Sequence, residues 1–254
     1  MQNGIELSFV DGIAYLTLNR PNQRNALDLQ ATKQLADAID NINNNGKVLA
    51  VVLSGAAGMF CAGADLAEIS KDGAIYRPWA GSDGPLAKPC SKPVVAAIEG
   101  YAVAGGLGLA LWADLRVASE SAIFGVFCRR FGVPMSDGTP TRLPTVVGRS
   151  RALDMLLTGR PVDAEEAMAI GLVNRLVPKG EAFVKANKLA KEIAGFPASA
   201  MRADRLAAWS AFDKDEVGSL IFEAQRAEGA KINEAVLGAQ RFASGVGKHG
   251  EFSE

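Results

Sequence analysis

The chain opens on an alternating pattern of hydrophobic and polar positions and then changes to longer periods. Residues 5–10 and 13–19 alternate on either side of Asp11-Gly12, and this pattern predicts a β-hairpin with a two-residue turn. In residues 29–42 the apolar positions recur at helical spacing, and Asp28 is expected to cap that helix. The continuous apolar run over residues 48–53 is typical of a strand buried on both faces.

Short strands and helices continue to alternate through the middle of the chain. Strands are predicted at residues 94–98, 115–118, 123–127 and 172–177. Helices are predicted at residues 66–70, 105–114 and 151–157, and from an Asp163 cap to Gly171. From residue 181 onward the pattern predicts helices only, at residues 181–194, 198–210, 214–227 and 232–244. We therefore expect an α/β core over residues 1–195 and a helical subdomain over residues 196–254.

Residues 71–91 contain several Gly, Pro and polar positions without a clear period, which predicts a long surface loop of a kind that is often functional. The nearly uncharged stretch 94–113 resembles a membrane span in hydropathy. Four glycines interrupt it, however, and a buried strand followed by a helix explains it better.

Charge and composition exclude several classes of protein. The net charge of −1 over 254 residues provides no basic field for nucleic acid. Three cysteines without a CxxC pair, and an N-terminus without a secretory leader pattern, favour a reducing cytoplasm. The single histidine, His249, excludes most Ser-His and Cys-His catalysis and most His-rich metal sites. P-loop, serine-hydrolase and dinucleotide-binding motifs are absent.

Two glycine-rich segments carry the functional signal. Residues 59–66 read MFCAGADL, and residues 92–108 join an apolar run to Gly105-Gly106-Leu107-Gly108. A glycine-rich turn at a helix start leaves N–H groups unpaired, where they stabilise a developing enolate or oxyanion. Both segments resemble the crotonase superfamily, the enoyl-CoA hydratase/isomerase fold. The resemblance continues through residues 157–160 and 169–174 to residue 242.

This resemblance implies a fold, a substrate and an assembly. The fold is a ββα spiral core, and the helical tail packs subunits into homotrimers that often pair as homohexamers. The substrate is an acyl-CoA thioester, with coenzyme A entering as part of the substrate and with no prosthetic group, metal, membrane or nucleic acid. The family's two carbonyl-polarising N–H groups map onto Ala62 and Gly105, and the implied activity is that of a lyase or isomerase of fatty acid metabolism.

Coenzyme A brings three phosphates to a nearly neutral chain, so local cations are expected at its site. Arg24 matches a family position that approaches the nucleotide, and Lys248 matches a basic residue of the last helix that often reaches a neighbouring subunit's coenzyme A. Asp65 is also expected to cap the helix that follows it. The resemblance assigns to coenzyme A the residues Arg24, Ala26, Ala62, Ala64, Asp65, Leu66 and Lys248.

The acids of the family's hydratases are missing. Their two glutamates fall at Gly108 and Cys128 in this chain, so the two-glutamate hydration mechanism is not carried over. Asp137 is the nearest carboxylate, one residue after Ser136, where several relatives place a catalytic aspartate. We expect Asp137 to be the proton carrier or, alternatively, a residue of an Asp-Gly turn.

Cys128 is followed by Arg129 and Arg130, whose charges would lower a thiol pKa and favour a nucleophile. No histidine is available as its base, and an inert cysteine is the alternative. The arginines would pair with Asp137, with a substrate carboxylate or with acids of a subunit interface. Three functions follow: an enolate-stabilising acyl-CoA lyase or isomerase, a non-catalytic acyl-CoA-binding homologue, and a thioester hydrolase that uses Cys128. For Glu99 and Asp114 we expect structural roles.

Overall fold

The computed structural model describes residues 4–71 and 79–246, and the side chain of residue 233 is not described. Two compact units divide the chain, the first ending at Ile193 and the second beginning at Ala194. All strands found in the described residues lie in the first unit. No helix in the described ranges combines the length and the apolar character that crossing a membrane requires.

The described residues of the first unit form two sheets. Its strands are β1 Ile5–Val10, β2 Ile13–Leu18, β3 Ala50–Gly55, β4 Val94–Ile98, β5 Tyr101–Val103, β6 Leu115–Ser119, β7 Ile123–Gly125, β8 Val162–Asp163 and β9 Arg175–Val177. The larger sheet has the order β1-β2-β3-β4-β6-β9 and is parallel apart from the β1–β2 hairpin. The smaller sheet has the order β5-β7-β8.

Helices accompany these sheets in the first unit, and the described part of the second unit contains helices and no strands. They are α1 Leu29–Asn44, α2 Leu66–Ile69, α3 Gly105–Trp112, α4 Thr139–Val147, α5 Arg149–Thr158, α6 Ala164–Ala169, α7 Ala182–Ala194, α8 Ala198–Ser210, α9 Glu216–Ala230 and α10 Val236–Ala243. As predicted, the side chains of Asp28 and Asp163 cap α1 and α6 by accepting hydrogen bonds from backbone N–H groups. Every residue of β4 is buried, as expected of a strand covered on both faces.

Two predicted strands are wrong in extent, and the helix α4 was not predicted. The strand predicted at residues 123–127 ends at Gly125, and Phe127–Phe131 forms a 3₁₀ helix instead. The strand predicted to begin at residue 172 begins at Arg175. No prediction was made for α4, which contains Pro140 and Pro144. Pro140 is tolerated in the first turn, where its missing N–H has no helical partner. Of the loop predicted at residues 71–91, residues 72–78 lie outside the described residues.

The acids Glu99 and Asp114 have the structural roles that were predicted for them. The Glu99 carboxylate accepts hydrogen bonds from the Gly180 and Ala182 N–H groups at 3.0 and 3.1 Å, at the start of α7. The Asp114 carboxylate accepts a hydrogen bond from the Val94 N–H at 2.7 Å, at the start of β4. These bonds hold the start of β4 and the residue that directly follows its end.

Candidate active site

The site is built where α3 begins against residues 61–64. Ala104, with a φ of 50°, turns the chain so that Gly105 opens the helix. A Cβ atom on Gly106 would lie 2.1 Å from the Cys61 carbonyl oxygen, and one on Gly63 would lie 2.8 Å from the Gly105 nitrogen. Only glycine fits at such close approaches, so these glycines bring the two segments singled out from the sequence into direct contact.

Some backbone N–H groups of these segments already donate a hydrogen bond within the protein, and others do not. The Ala62 N–H donates to the Arg24 carbonyl oxygen at 3.1 Å, which weighs against the prediction that it polarises a substrate carbonyl. Within the described part of the chain, the Ala64 and Gly105 N–H groups have no hydrogen-bond acceptor. Sequence reasoning did not single out the Ala64 N–H. The pairing with residues 24–27 decides which amide is already bonded, and a linear motif does not reveal that pairing.

A cavity of about 80 Å³ lies in front of these amides. Most of its wall is apolar, and Asp137 is the one carboxylate among its described lining residues. The residues that line it are Ala62, Ala64, Leu66, Trp79, Ala104, Gly105, Phe127, Cys128, Phe131, Val133, Pro134, Met135 and Asp137. The arrangement therefore combines unpaired N–H donors, an apolar wall and a single acid.

Asp137 is 4% exposed and packs against Gly108. A Cβ atom on Gly108 would lie 2.4 Å from Asp137 Cγ and 2.7 Å from its Oδ1. Burial raises the pKa of the Asp137 carboxyl; the Thr139 N–H, which donates to Oδ1 at 2.9 Å, and the Arg142 charge lower it less. The Thr139 bond is that of a turn, so the carboxyl holds its turn and lines the cavity at the same time.

Arg142, which sequence reasoning missed, joins two loops beside the cavity. Its guanidinium donates to the Asp137 carbonyl oxygen at 3.4 Å and to the Leu86 carbonyl oxygen at 2.6 Å. The residue lies in α4, the helix that was not predicted, so the sequence offered no signal that it faces Asp137.

Cys128 lies in an environment that opposes the predicted nucleophilic role. Its pKa is raised by burial and by Asp137, which together outweigh the effect of Arg129. The thiol contacts Met135, with 3.0 Å between the sulfur atoms. Arg129 donates to the Leu156 carbonyl oxygen at 3.1 Å, and Arg130 to that of Gly159 at 3.5 Å. These arginine bonds therefore run to backbone oxygens rather than to the Asp137 carboxylate.

The residues assigned to coenzyme A are in varied surroundings. Asp65 caps α2, as predicted, through a 3.1 Å bond from the Ala67 N–H, and its other oxygen pairs with Arg20 at 3.1 Å. The carbonyl oxygen of the buried Ala26 accepts a hydrogen bond from the Arg20 guanidinium. Arg24 is exposed, with a φ of 52°. Ala62, Ala64 and Leu66 line the cavity, whereas Lys248 and His249 lie outside the described residues.

Comparison with known proteins gives consistent matches over most of the chain. Residues 8–236 match the family model described as enoyl-CoA hydratase/isomerase. A probable enoyl-CoA hydratase of Mycobacterium bovis is 34% identical over 214 residues, which cover 83% of each protein. A short-chain-enoyl-CoA hydratase of Clostridium acetobutylicum is 32% identical over 228 residues, covering 88% of this chain and 87% of that protein.

Solved structures agree with this chain in fold. The crystal structure of an enoyl-CoA hydratase from Mycobacterium tuberculosis aligns with a TM-score of 0.89 and 31% identity over 96% of both chains. That of an enoyl-CoA hydratase from Bacillus anthracis aligns with a TM-score of 0.87 and 31% identity, again over 96% of both chains. These alignments confirm the predicted α/β fold.

Proposed function

Because the chain belongs to the enoyl-CoA hydratase/isomerase family, we propose that it converts an unsaturated acyl-CoA thioester through an enolate held by two backbone N–H groups. The donors proposed are those of Gly105 and Ala64. Both residues line the cavity, and neither N–H has an acceptor in the described chain. The start of α3 adds partial positive charge, so the negative oxygen of an enolate is stabilised more than the neutral carbonyl of the substrate.

Asp137 is the proposed proton carrier. Its burial beside Gly108 and in the wall of the cavity is the observation that carries this proposal. A raised carboxyl pKa favours proton exchange close to neutral pH. One carboxylate suffices for either reaction of the family. In hydration, it takes a proton from the water that adds to the β carbon and returns a proton to the α carbon of the enolate. In isomerisation, it moves a proton from the α carbon to the γ carbon.

The two alternatives have less support. A non-catalytic binder was expected to leave Asp137 facing solvent, whereas the carboxyl is buried at the cavity. A hydrolase using Cys128 needs a thiolate, and burial of the thiol opposes its formation.

Coenzyme A is proposed to lie along residues 24–26 and 62–66. Arg24 supports this placement, because it is exposed and has no ion pair within the described ranges. Assembly into a homotrimer or homohexamer through the second unit stays a prediction. Exposed apolar side chains on that unit, including Phe212, Ile232 and Leu237, are consistent with it.

The test of the proposed function uses the purified wild-type protein. It is mixed with crotonyl-CoA and, separately, with 3-hexenoyl-CoA, while the absorbance of the conjugated thioester is followed. Loss of absorbance with crotonyl-CoA identifies hydration, and gain with 3-hexenoyl-CoA identifies isomerisation. Saturable binding of both thioesters without any change in absorbance would contradict the proposal.

A further inference from the structure

We propose that Trp79 limits the length of the acyl chain that the site accepts, an inference that rests on the proposed function. The indole of Trp79 lies against the first residue of α3. A Cβ atom on Gly105 would lie 2.6 Å from Trp79 Cζ3 and 2.9 Å from Cη2. The side chain is 4% exposed and forms part of the cavity wall, together with Asp137. The largest side chain of that wall therefore stands beside a proposed thioester-binding amide.

Backbone bonds on both sides hold Trp79 in this position. Its carbonyl oxygen accepts a hydrogen bond from the Leu86 N–H at 2.8 Å. The N–H of Ala80 donates to the Ser136 carbonyl oxygen at 3.0 Å, immediately before Asp137. Leu86 is fully buried, and its carbonyl oxygen accepts the 2.6 Å bond from Arg142. The indole is thus a fixed wall, tied to the same loop that carries the proposed acid.

A fixed aromatic wall near the reacting carbons determines how much chain fits beyond them. Replacing an indole with a methyl group leaves space that the surroundings fill only in part. A longer acyl chain in that space would bury additional methylene groups. Each buried methylene corresponds to roughly a fourfold gain in affinity. Removing the indole should therefore favour long chains over short ones rather than change all substrates alike.

The experiment compares wild type, Trp79→Phe, Trp79→Leu and Trp79→Ala. The ratio of kcat/KM for trans-2-octenoyl-CoA to that for crotonyl-CoA is measured, and the ratio of affinities for octanoyl-CoA and butanoyl-CoA is measured by calorimetry. We expect Trp79→Ala to raise both ratios by about tenfold or more, Trp79→Leu by less, and Trp79→Phe by about twofold, in line with the volume removed. Should Trp79→Ala fail to fold, the leucine and phenylalanine variants keep the test decisive.

The control is Trp112→Phe. Trp112 is also buried, but it does not line the cavity, and its indole donates to the Lys88 carbonyl oxygen at 2.8 Å. This variant is expected to keep both ratios at wild-type values. A control that shifts the ratios as much as Trp79→Phe does would overturn the inference, because loss of any buried indole would then explain the effect.

The two readouts separate this inference from the proposed function. Altered affinity ratios without turnover of crotonyl-CoA, trans-2-octenoyl-CoA or 3-hexenoyl-CoA would support the role of Trp79 and overturn the proposed reaction. Turnover with unchanged ratios in all Trp79 variants would overturn the inference alone. If the wild-type protein bound none of the thioesters, both would be overturned.

Discussion

The carboxyl group of Asp137 occupies the space that a side chain at Gly108 would need, with 2.4 Å between Asp137 Cγ and the position of a Cβ atom on Gly108. The resemblance to the crotonase superfamily implies that a hydratase would carry a glutamate at the position of Gly108. In this chain, the acid enters the same space from the loop before α4 instead of from α3. A side chain at position 108 and the carboxyl group of Asp137 cannot both fit in this space.

Gly108→Ala tests this packing directly. The added methyl group should cost about 1–3 kcal/mol of unfolding free energy, as overpacking of a core does. Chemical denaturation measures the cost, and Asp137→Gly in the same chain should remove most of it. The matched control is Gly238→Ala in α10, where a Cβ atom would meet nothing within 4 Å and a gain of roughly 0.5–1 kcal/mol is expected. Equal effects of Gly108→Ala with and without Asp137 would contradict the contact.

Ala62 and Ala64 should respond oppositely to removal of their N–H groups. Replacing the residue by lactic acid turns the amide into an ester and keeps the side chain. At position 64 we expect kcat to fall by about 10²–10³, because a proposed enolate donor is lost. At position 62 we expect a stability loss of about 1–3 kcal/mol, because the Arg24 carbonyl oxygen loses its donor, with little change in kcat. The reverse pattern would assign the donor to Ala62.

Replacing Arg142 by a neutral residue should shift the pH dependence of the reaction. Burial raises the pKa of Asp137, so the fall of kcat/KM toward low pH is expected above the usual range of an aspartate. The Arg142 charge lowers that pKa, and Arg142→Gln should therefore move the fall to still higher pH.

Arg142→Lys is the control for that shift. It keeps a positive charge but not the two-armed bond to the Asp137 and Leu86 carbonyl oxygens. The pH at which activity falls should stay near the wild-type value even if kcat drops. If Arg142→Gln and Arg142→Lys gave the same pH profile of kcat/KM, the prediction that the charge of Arg142 lowers the pKa of Asp137 would be contradicted.

Cys128→Ala is expected to leave turnover within about twofold of wild type, because burial raises the pKa of the thiol and the described residues include no histidine to act as its base. The variant is assayed with the same enoyl-CoA substrates and for release of free coenzyme A. A hydrolase activity that is present in the wild-type protein and absent from this variant would restore the nucleophilic role of Cys128.

The sequence predicted the scaffold better than it predicted the chemistry of the site. Regular sequence patterns were sufficient to predict α1, β4 and the helix caps at Asp28 and Asp163, because those features depend on local spacing and burial. Whether the Ala62 N–H is free depends on its hydrogen bond to Arg24, a residue 38 positions earlier in the chain. The contacts of Arg142 and Trp79 depend on packing of loops, which no local pattern encodes.

The most direct test of the central claim is the turnover of Asp137→Asn, which keeps the shape of the side chain and removes its ability to carry a proton. On the enoyl-CoA substrate that wild type converts, we expect a loss of about 10²–10⁴ in kcat. Binding of butanoyl-CoA should stay within about threefold, since the proposed coenzyme A site lies at residues 24–26 and 62–66 and the side chain keeps its shape. Asp154→Asn, at an exposed ion pair, should behave as wild type. An Asp137→Asn protein that turns over at more than half the wild-type rate would contradict the account.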